Sequence, residues 1–382
     1  MNLKFILSQI LCLIILSTAC SKADLDSNKI TTIDENGVEI TSNPESGTWQ
    51  SSDTRKIQFE LIDQFSFQDS EEKIISGITF LSQGPDEHIY FFDRQQNELS
   101  SINQKGELRW SVGQTGRGPG DFENVSGMKV IDDKILVSNV QGTRIDLFDL
   151  DGNFDRSIQL QDDIIFAKII GKTPDGELVI SSMLRGKLGV TVHMVNIDPE
   201  STATNTSFPI SQGPELDIKV GVGLDAGLSI RDGKIYSGNT STYEIGVYSM
   251  TGELLQKITR DFNKMVRPGI MKMENYSGIR TFGELSNPYF LNNGSFITVA
   301  LWPKNIEDPD DYMNKVQNNT APDVIRANSL DYFSKDGELL YSIEHDGFYP
   351  EIGNLQFINE NNILYTVKRL TINRYKMNVE NE

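Results

Sequence analysis

Short apolar runs separated by polar, glycine-containing turns dominate the chain, and the stretch from Gly113 to Gln159 shows the pattern most completely. Met128–Ile131, Ile135–Val140, Arg144–Leu150 and Phe154–Leu160 are rich in Val, Ile, Leu and Phe. Asp132-Asp133, Gln141-Gly142 and Asp151-Gly152 divide them. Runs of this length broken by two-residue turns predict antiparallel strands joined as hairpins. In Arg144–Leu150 apolar residues partly alternate with polar ones, as a half-buried strand requires. The stretch therefore predicts one four-stranded meander.

The same spacing recurs on either side. Gly77–Leu81, His88–Asp93, Glu98–Asn103 and Leu108–Val112 predict a preceding unit, with Lys105-Gly106 at its last hairpin. Ala167–Ile170, Glu177–Ser182, Val190–Asn196 and Thr206–Ile210 predict a third, and Leu228–Ile230, Lys234–Gly238, Glu244–Ser249 and Leu254–Thr259 a fourth. A fifth reads Tyr289–Leu291, Ser295–Leu301, Ser329–Ser334 and Leu339–Ile343. The last has only Leu355–Ile358, Ile363–Val367 and Thr371–Met377. One strand is missing there, and one candidate, Lys56–Phe67, stands alone before the first unit. Pairing it as the outer strand of the last sheet would close a ring and remove the free edges of an open array. From Ile57 to Glu382 there are 326 residues, about 54 per sheet for six sheets, against roughly 40–50 in such repeats.

The second unit opens on Gly113-x-x-Gly116-Arg117-Gly118-Pro119-Gly120-Asp121-Phe122. So much glycine with a proline is costly inside a helix or central strand but suits a tight crossing between sheets. Phe122 is placed to plug the edge of the next sheet, and Gly127 to allow a close backbone approach. The pattern G-x-x-G-x-G-P-G-x-F, followed by I-x-V-x-(D/N) and R-I-x-x-F-D-x-x-G-x-F, resembles an NHL-type propeller repeat. More closely, it is similar to the six-bladed, TolB-like propeller lipoproteins of Bacteroidota. The resemblance is specific over about fifty residues. It implies an all-β, six-bladed β-propeller closed by an N-terminal strand, and an envelope location; it implies no particular chemistry.

Residues 1–19 carry one basic residue, an apolar run and small residues before Cys20. That composition predicts a secretory signal peptide rather than a spanning helix. Leu16-Ser17-Thr18-Ala19-Cys20 resembles a bacterial lipobox, with the bulky aliphatic residue four positions before the cysteine instead of three. Cys20 is the candidate lipidation site. Cys12 is the only other cysteine, so cleavage leaves no pair for a disulfide. Ser21 after the cysteine points to the outer membrane, and Lys22-Ala23-Asp24-x-Asp26 resembles the acidic surface-export signals of Bacteroidota lipoproteins. Residues 20–55 are polar and aperiodic, which predicts a flexible tether, with an ordered arm around Trp49 as the alternative. The domain reading is signal peptide 1–19, tether 20–55, propeller 56–382.

The formal charge is −19, and removal of Lys4 with the signal leaves −20. Such a surface repels phosphate backbones, which argues against a nucleic-acid partner. Two long loops carry the composition of a contact surface: Asp261–Asn287 and Trp302–Asn328, with a short helix within Lys264–Tyr276. Their Tyr276, Arg280, Phe282, Trp302, Tyr312 and Arg326, together with Arg117, are the candidate binding residues; lids that merely cover the ring are the alternative.

Catalytic signals are weak. The Gly-rich loop lacks the Gly-Lys-Ser/Thr ending and precedes a strand, so it is not a phosphate cradle. Asp149-x-Asp151-Gly152-x-x-Asp155 is a fragment of a calcium loop without its twelfth-position glutamate, better explained as a hairpin turn. His88, His193 and His345 fall in different units with no second ligand at metal spacing. No G-x-S-x-G element and no mature cysteine nucleophile is present. These observations favour a binding or scaffold module for a protein or carbohydrate ligand, held to a membrane by its lipid anchor and needing no cofactor. The alternative is a propeller hydrolase or lyase acting on glycan or lactone-like substrates, with calcium as the one cofactor left open.

Overall fold

The computed structural model describes residues 29–52, 55–67, 74–185, 189–197, 204–210, 227–272 and 277–381. Near its start, β1 (Ile30–Ile33) and β2 (Glu39–Asn43) form a hairpin, followed by a single helical turn α1 (Thr48–Ser52) and the long strand β3 (Arg55–Ser66). The first sheet is β4 (Ile78–Gln83), β5 (Ile89–Asp93), β6 (Glu98–Ile102) and β7 (Leu108–Val112). The second is β8 (Gly127–Ile131), β9 (Lys134–Asn139), β10 (Arg144–Asp149) and β11 (Phe154–Gln159). The third comprises β12 (Ile164–Lys172), β13 (Leu178–Leu184), β14 (Val190–Val195) and β15 (Thr204–Ile210). The fourth comprises β16 (Leu228–Arg231), β17 (Lys234–Ser237), β18 (Glu244–Ser249) and β19 (Leu254–Arg260).

A small hairpin, β20 (Gly269–Lys272) and β21 (Ser277–Arg280), then precedes the fifth sheet. That sheet has an interrupted inner strand, β22 (Glu284–Leu285) and β23 (Tyr289–Phe290), paired with β24 (Phe296–Pro303). Helix α2 (Pro309–Gln317) intervenes before β25 (Arg326–Phe333) and β26 (Leu339–Asp346). The last sheet runs β27 (Asn354–Ile358), β28 (Ile363–Lys368), β29 (Thr371–Asn381) and then β3. The N-terminal strand thus supplies the outer strand of the final sheet, in a register from Thr371↔Ser66 to Asn381↔Arg55.

Packing shows why the sheets make a six-bladed propeller. Between sheets one and two lie Phe92, Leu99, Ile135 and Phe148; between two and three, Leu147, Ile158, Ile169 and Ile180. Between three and four are Val192, Met194 and Ile235; between four and five, Ile245, Ile258, Phe296 and Phe333. Leu330 and Leu364 join sheets five and six. Ile89 and Phe91 of sheet one pack on Tyr365 and Ile372 of sheet six, so the last gap is filled as the others are. Each blade buries both faces only because it has two neighbours.

Repeated turn chemistry sets the strand spacing. Asn103, Asp149, Ser249 and Ser334 each accept, through a side-chain oxygen, the backbone N–H groups two and four residues on. A glycine with positive φ follows in every case, as at Gly106 (φ 82°) and Gly152 (φ 84°). The acidic run around Asp149 is therefore a hairpin turn. The Gly-rich crossing behaves as expected: Phe122 is fully buried, edge-on to Phe92 at 5.1 Å. Gly127 differs, because an added Cβ would meet Lys168 Cα at an ordinary 3.5 Å.

The expected tether is corrected over its second half. Strand β2 joins the fourth blade in parallel with β19, from Gln256↔Glu39 to Arg260↔Asn43. The Asn43 amide donates to Thr259 O (3.0 Å) and Gly337 O (2.9 Å), and its oxygen accepts from Leu339 N (2.8 Å), stitching blades four and five. Trp49 is buried beside Tyr332, with ring centroids 5.6 Å apart. The buried side chains of β2 are Thr41 and Asn43, both polar, so hydrophobic patterning gives no sign of this strand. The signal peptide, Cys20 and the start of the tether lie outside the described residues.

Candidate functional site

In an antiparallel four-stranded blade, the loop between the second and third strands and the connection to the next blade leave from the same edge. The Gly-rich crossing, residues 261–272 and 277–283, and the insertion 304–325 therefore share one face of the ring. The insertion is closed at its neck by Lys304 N donating to Ile325 O at 2.7 Å. Helix α2 begins with Asp308 capping the N–H groups of Asp310 and Asp311, and Pro309 occupies its first turn. Its buried side chains, Tyr312 and Met313, pack with Phe282 and Ile306 in a small core of their own. The short helix expected within 264–276 is instead occupied, where described, by β20.

Four of the sequence-predicted residues converge here. Phe282 and Tyr312 meet edge-on with centroids 5.3 Å apart, and the Tyr312 hydroxyl donates to Pro322 O at 2.9 Å. The Arg280 guanidinium lies over both rings, 5.7 and 5.5 Å from their centroids. Arg326 stacks over Phe348 at 5.2 Å, and its Nε is buried without a hydrogen-bond partner. Arg280, Tyr312 and Arg326 line an open groove of about 610 Å³, with Asn319 and Asp323 on its rim. Among the described residues neither guanidinium has a carboxylate within ion-pair distance.

The other candidates do not join this groove. Trp302 is a core residue, packed edge-on to Phe262 at 5.1 Å with the Lys264 ammonium 5.4 Å above its ring. Arg117 is exposed and paired with the Glu123 carboxylate, which that bond holds below the ordinary glutamate range. Tyr276 and Cys20 lie outside the described residues.

Two further spaces escape a linear reading. The central channel, about 330 Å³, is lined by the inner strand region of every blade, including Ser82, Met128, Ile169, Leu228, Asn287 and Gln356. Lys129 donates to Ile170 O at 2.6 Å there, and burial lowers its ammonium pKa. Its side chain is exposed to the channel space, which the ring encloses.

At the loop-side end of the channel a cavity of about 660 Å³ lies over blades one to three, sharing Ser126 and Lys168 with the channel. Its lining includes Phe92, Arg94, Asn97, Asn124, Phe166 and Ser182. Phe166 sits in an irregular stretch of β12 between Ile165 and Lys168, with φ 53° and 46% of its surface exposed. Its position just before a predicted strand carries no sequence signal. Arg94, over the Phe80 ring at 5.3 Å, has no carboxylate partner among the described residues.

Ser182 Oγ lies 2.8 Å from His193 Nε2, a distance at which a histidine could activate a hydroxyl. Burial, partly opposed by Asp163, pushes the His193 pKa down to about 4, and Nδ1 is buried without a partner. A base that weak does not take a proton from serine near neutral pH. The tautomer that leaves Nδ1 bare avoids burying an unmatched N–H, so Nε2–H donates to Ser182 Oγ. The serine proton then remains available to the cavity. Among the described residues no three His, Cys, Asp or Glu side chains gather in a metal-holding arrangement.

No protein-family model matches the chain, and no curated protein matches it. Solved structures do. A member of the DUF4221 family from Bacteroides vulgatus is similar at a TM-score of 0.55 and 10% identity, over 86% of this chain and 99% of that one. A Bacteroides fragilis protein named for its inferred export gives 0.49 and 10%, over 90% and 99%. A streptogramin B lyase gives 0.45 and 10%, over 85% and 98%. At such identities the first likeness establishes a shared fold, the six-bladed β-propeller.

Proposed function

We propose that this chain is an outer-membrane lipoprotein, cleaved before Cys20 and lipidated there, whose propeller captures a carboxylate-bearing ligand in the groove beneath α2. One observation carries the binding part: Arg280 and Arg326 line the same groove, and neither is paired with a carboxylate among the described residues. In a chain of net charge −19, with Asp and Glu in excess over Lys and Arg, two guanidiniums left without such partners mark a place kept for an external anion. Arginine offers carboxylates a planar, two-toothed fork of donors. Stacking on Tyr312, Phe282 and Phe348 holds both forks in place before a ligand arrives, which lowers the ordering cost of binding. The protein's overall negative charge slows association of anions, so affinity has to come from these local contacts.

The anchor rests on the residues preceding Cys20 and on the polar chain that follows them. No helix among the described residues is long and apolar enough to cross a membrane. With the ring tied at both ends and the lipid at the far end of a short polar leader, the loop face can turn toward soluble ligands.

Calorimetric titration of the soluble chain from residue 21 with a hexaglutamate peptide and with trigalacturonate tests the groove. Saturable binding of either probe that is weakened roughly tenfold or more by Arg280→Gln or Arg326→Gln supports the reading. Binding unaffected by both variants, or no binding of either probe, overturns it. Metabolic labelling with a palmitate analogue tests the anchor, which requires label in the wild type and none in Cys20→Ala.

A further inference from the structure

We infer that the cavity at the loop-side end of the channel is a second binding site, separate from the arginine groove, and that it takes a neutral sugar ring stacked on Phe166. Phe166 is exposed in a backbone conformation that bulky side chains rarely adopt. An exposed phenylalanine gains little from burial, and a left-handed φ costs on the order of 1–3 kcal/mol, persisting where the surroundings impose it and often where function uses it. Asn97 (φ 53°) and Asn124 (φ 51°) line the same cavity in the same unusual region. Three of the non-glycine residues with positive φ thus surround one space.

The chemistry around Phe166 is mixed in the way a pyranose is mixed. A sugar ring has a face of C–H bonds that packs on an aromatic ring and an edge of hydroxyls that needs donors and acceptors. Phe166 supplies the flat apolar surface. Ser182, fixed as an acceptor toward His193, keeps its own proton for a ligand oxygen. Asn97 is held by its amide donating to Thr115 Oγ1 at 2.9 Å, which leaves its carbonyl oxygen directed by a set orientation. The volume, about 660 Å³, falls in the range of roughly 300–1,000 Å³ of small-ligand sites. The one anion on the rim, Glu123, is already engaged by Arg117, so no carboxylate stands free to favour a cationic ligand. Arg94, held over the Phe80 ring at 5.3 Å, is a single guanidinium whose N–H groups are donors for sugar hydroxyls rather than half of a two-arginine anion clamp.

The test is titration of the soluble chain with cellotriose and with chitotriose, observed by protein NMR or calorimetry. Saturable millimolar or tighter binding of at least one trisaccharide is expected. Phe166→Ala should weaken it roughly tenfold, and Phe166→Tyr, which keeps the ring, should restore it. Ser182→Ala should weaken it by roughly fivefold to tenfold. Both Phe166 variants should keep the wild-type urea midpoint to within a small shift, since the exposed ring is not part of the core. Ser182→Ala strands the buried His193 Nε2–H and should lower that midpoint, so its sugar affinity is read under conditions where the variant is fully folded. Arg280→Gln should leave sugar binding unchanged, which separates this site from the groove. Absence of binding by both sugars, or binding that Phe166→Ala leaves intact, overturns the inference.

Discussion

Arg260 and Asp331 meet across the junction of blades four and five, Nη1 to Oδ2 at 3.1 Å, with both side chains almost wholly withdrawn from solvent. Asp331 also accepts from Tyr243 (2.5 Å), Ser329 (2.8 Å) and Ser342 (2.5 Å), and Arg260 donates to Glu45 O through Nε at 2.8 Å. The pair therefore ties the N-terminal segment to two blades at once. Burial alone would push the Tyr243 hydroxyl up, and the neighbouring Asp331 charge pushes it further. Asp331→Ala should cost about 3–5 kcal/mol, because it strands a buried guanidinium. The double variant Asp331→Ala with Arg260→Met should be less damaged than Asp331→Ala alone. Urea unfolding of the wild type and these two variants checks both statements, and a loss below about 1 kcal/mol for Asp331→Ala would show the pair to be no more than a surface bridge.

Closure of the ring makes a second prediction. Strand β3 pairs along its whole length with β29, and Asp63 joins Arg374 across that seam. A chain beginning at Phe67 loses the outer strand of blade six and exposes β29 as a free edge, so it should fail to fold cooperatively and should aggregate. A chain beginning at Arg55 keeps the seam but loses β1, β2 and α1. It should fold with stability lower by on the order of 3 kcal/mol, the scale of uncovering one large buried side chain, such as Tyr332 once Trp49 no longer covers it. Circular dichroism and size-exclusion chromatography of the two truncations distinguish these outcomes.

The ring itself was legible because its determinants are local and repeated. Apolar runs such as Ile135–Val140 and turn residues such as Asp149 and Gly152 act within a single hairpin, and the unmatched strand before Gly77 implied its own distant partner. Of the clamp of residues 29–52, the ordered arm around Trp49 was legible as the alternative to a tether, but β2 was hidden because its buried Thr41 and Asn43 are polar and Asn43 pairs with strands more than two hundred residues away. The site was half legible. Arg280, Phe282, Tyr312 and Arg326 stood out as aromatic and basic residues in long loops and do converge. Trp302 shares that composition but belongs to the last part of a strand, β24, and its ring goes to the core. Phe166, Asn97 and Ser182 come together only through the ring's closure, and no spacing along the chain could announce that.

His193 should make the protein acid-sensitive in a defined window. Its pKa is pushed down to about 4 by burial, against about 6.5 in the unfolded chain. Between those values the unfolded state binds the proton and the folded state does not, so stability rises with pH through the window and is lost as pH falls through it. At pH 5 the loss relative to pH 7 amounts to about 2 kcal/mol. His193→Gln removes the titration, so its urea midpoint should fall less between pH 7 and pH 5 than the wild type's. Parallel slopes for the two proteins would show that folding leaves the His193 pKa unshifted.

Gly113 and Gly176 separate two costs of replacing a glycine. Both have positive φ, 104° and 93°, so alanine is strained at either, by about 1 kcal/mol. At Gly176 nothing lies within 4 Å of an added Cβ, whereas at Gly113 the Cβ would fall 2.2 Å from Phe122 Cε2. Phe122 cannot retreat, since Phe92 and Phe148 hold its ring at centroid distances of 5.1 and 5.6 Å. Gly113→Ala should therefore cost a further 1–3 kcal/mol, about the usual penalty for overpacking a filled core. The crossing it opens carries Glu123 and Asn124 onto the rim of the sugar cavity. Near-ultraviolet circular dichroism should change for Gly113→Ala and not for Gly176→Ala; equal destabilisation of the two variants would mean that backbone strain, not the Phe122 contact, is what Gly113 relieves.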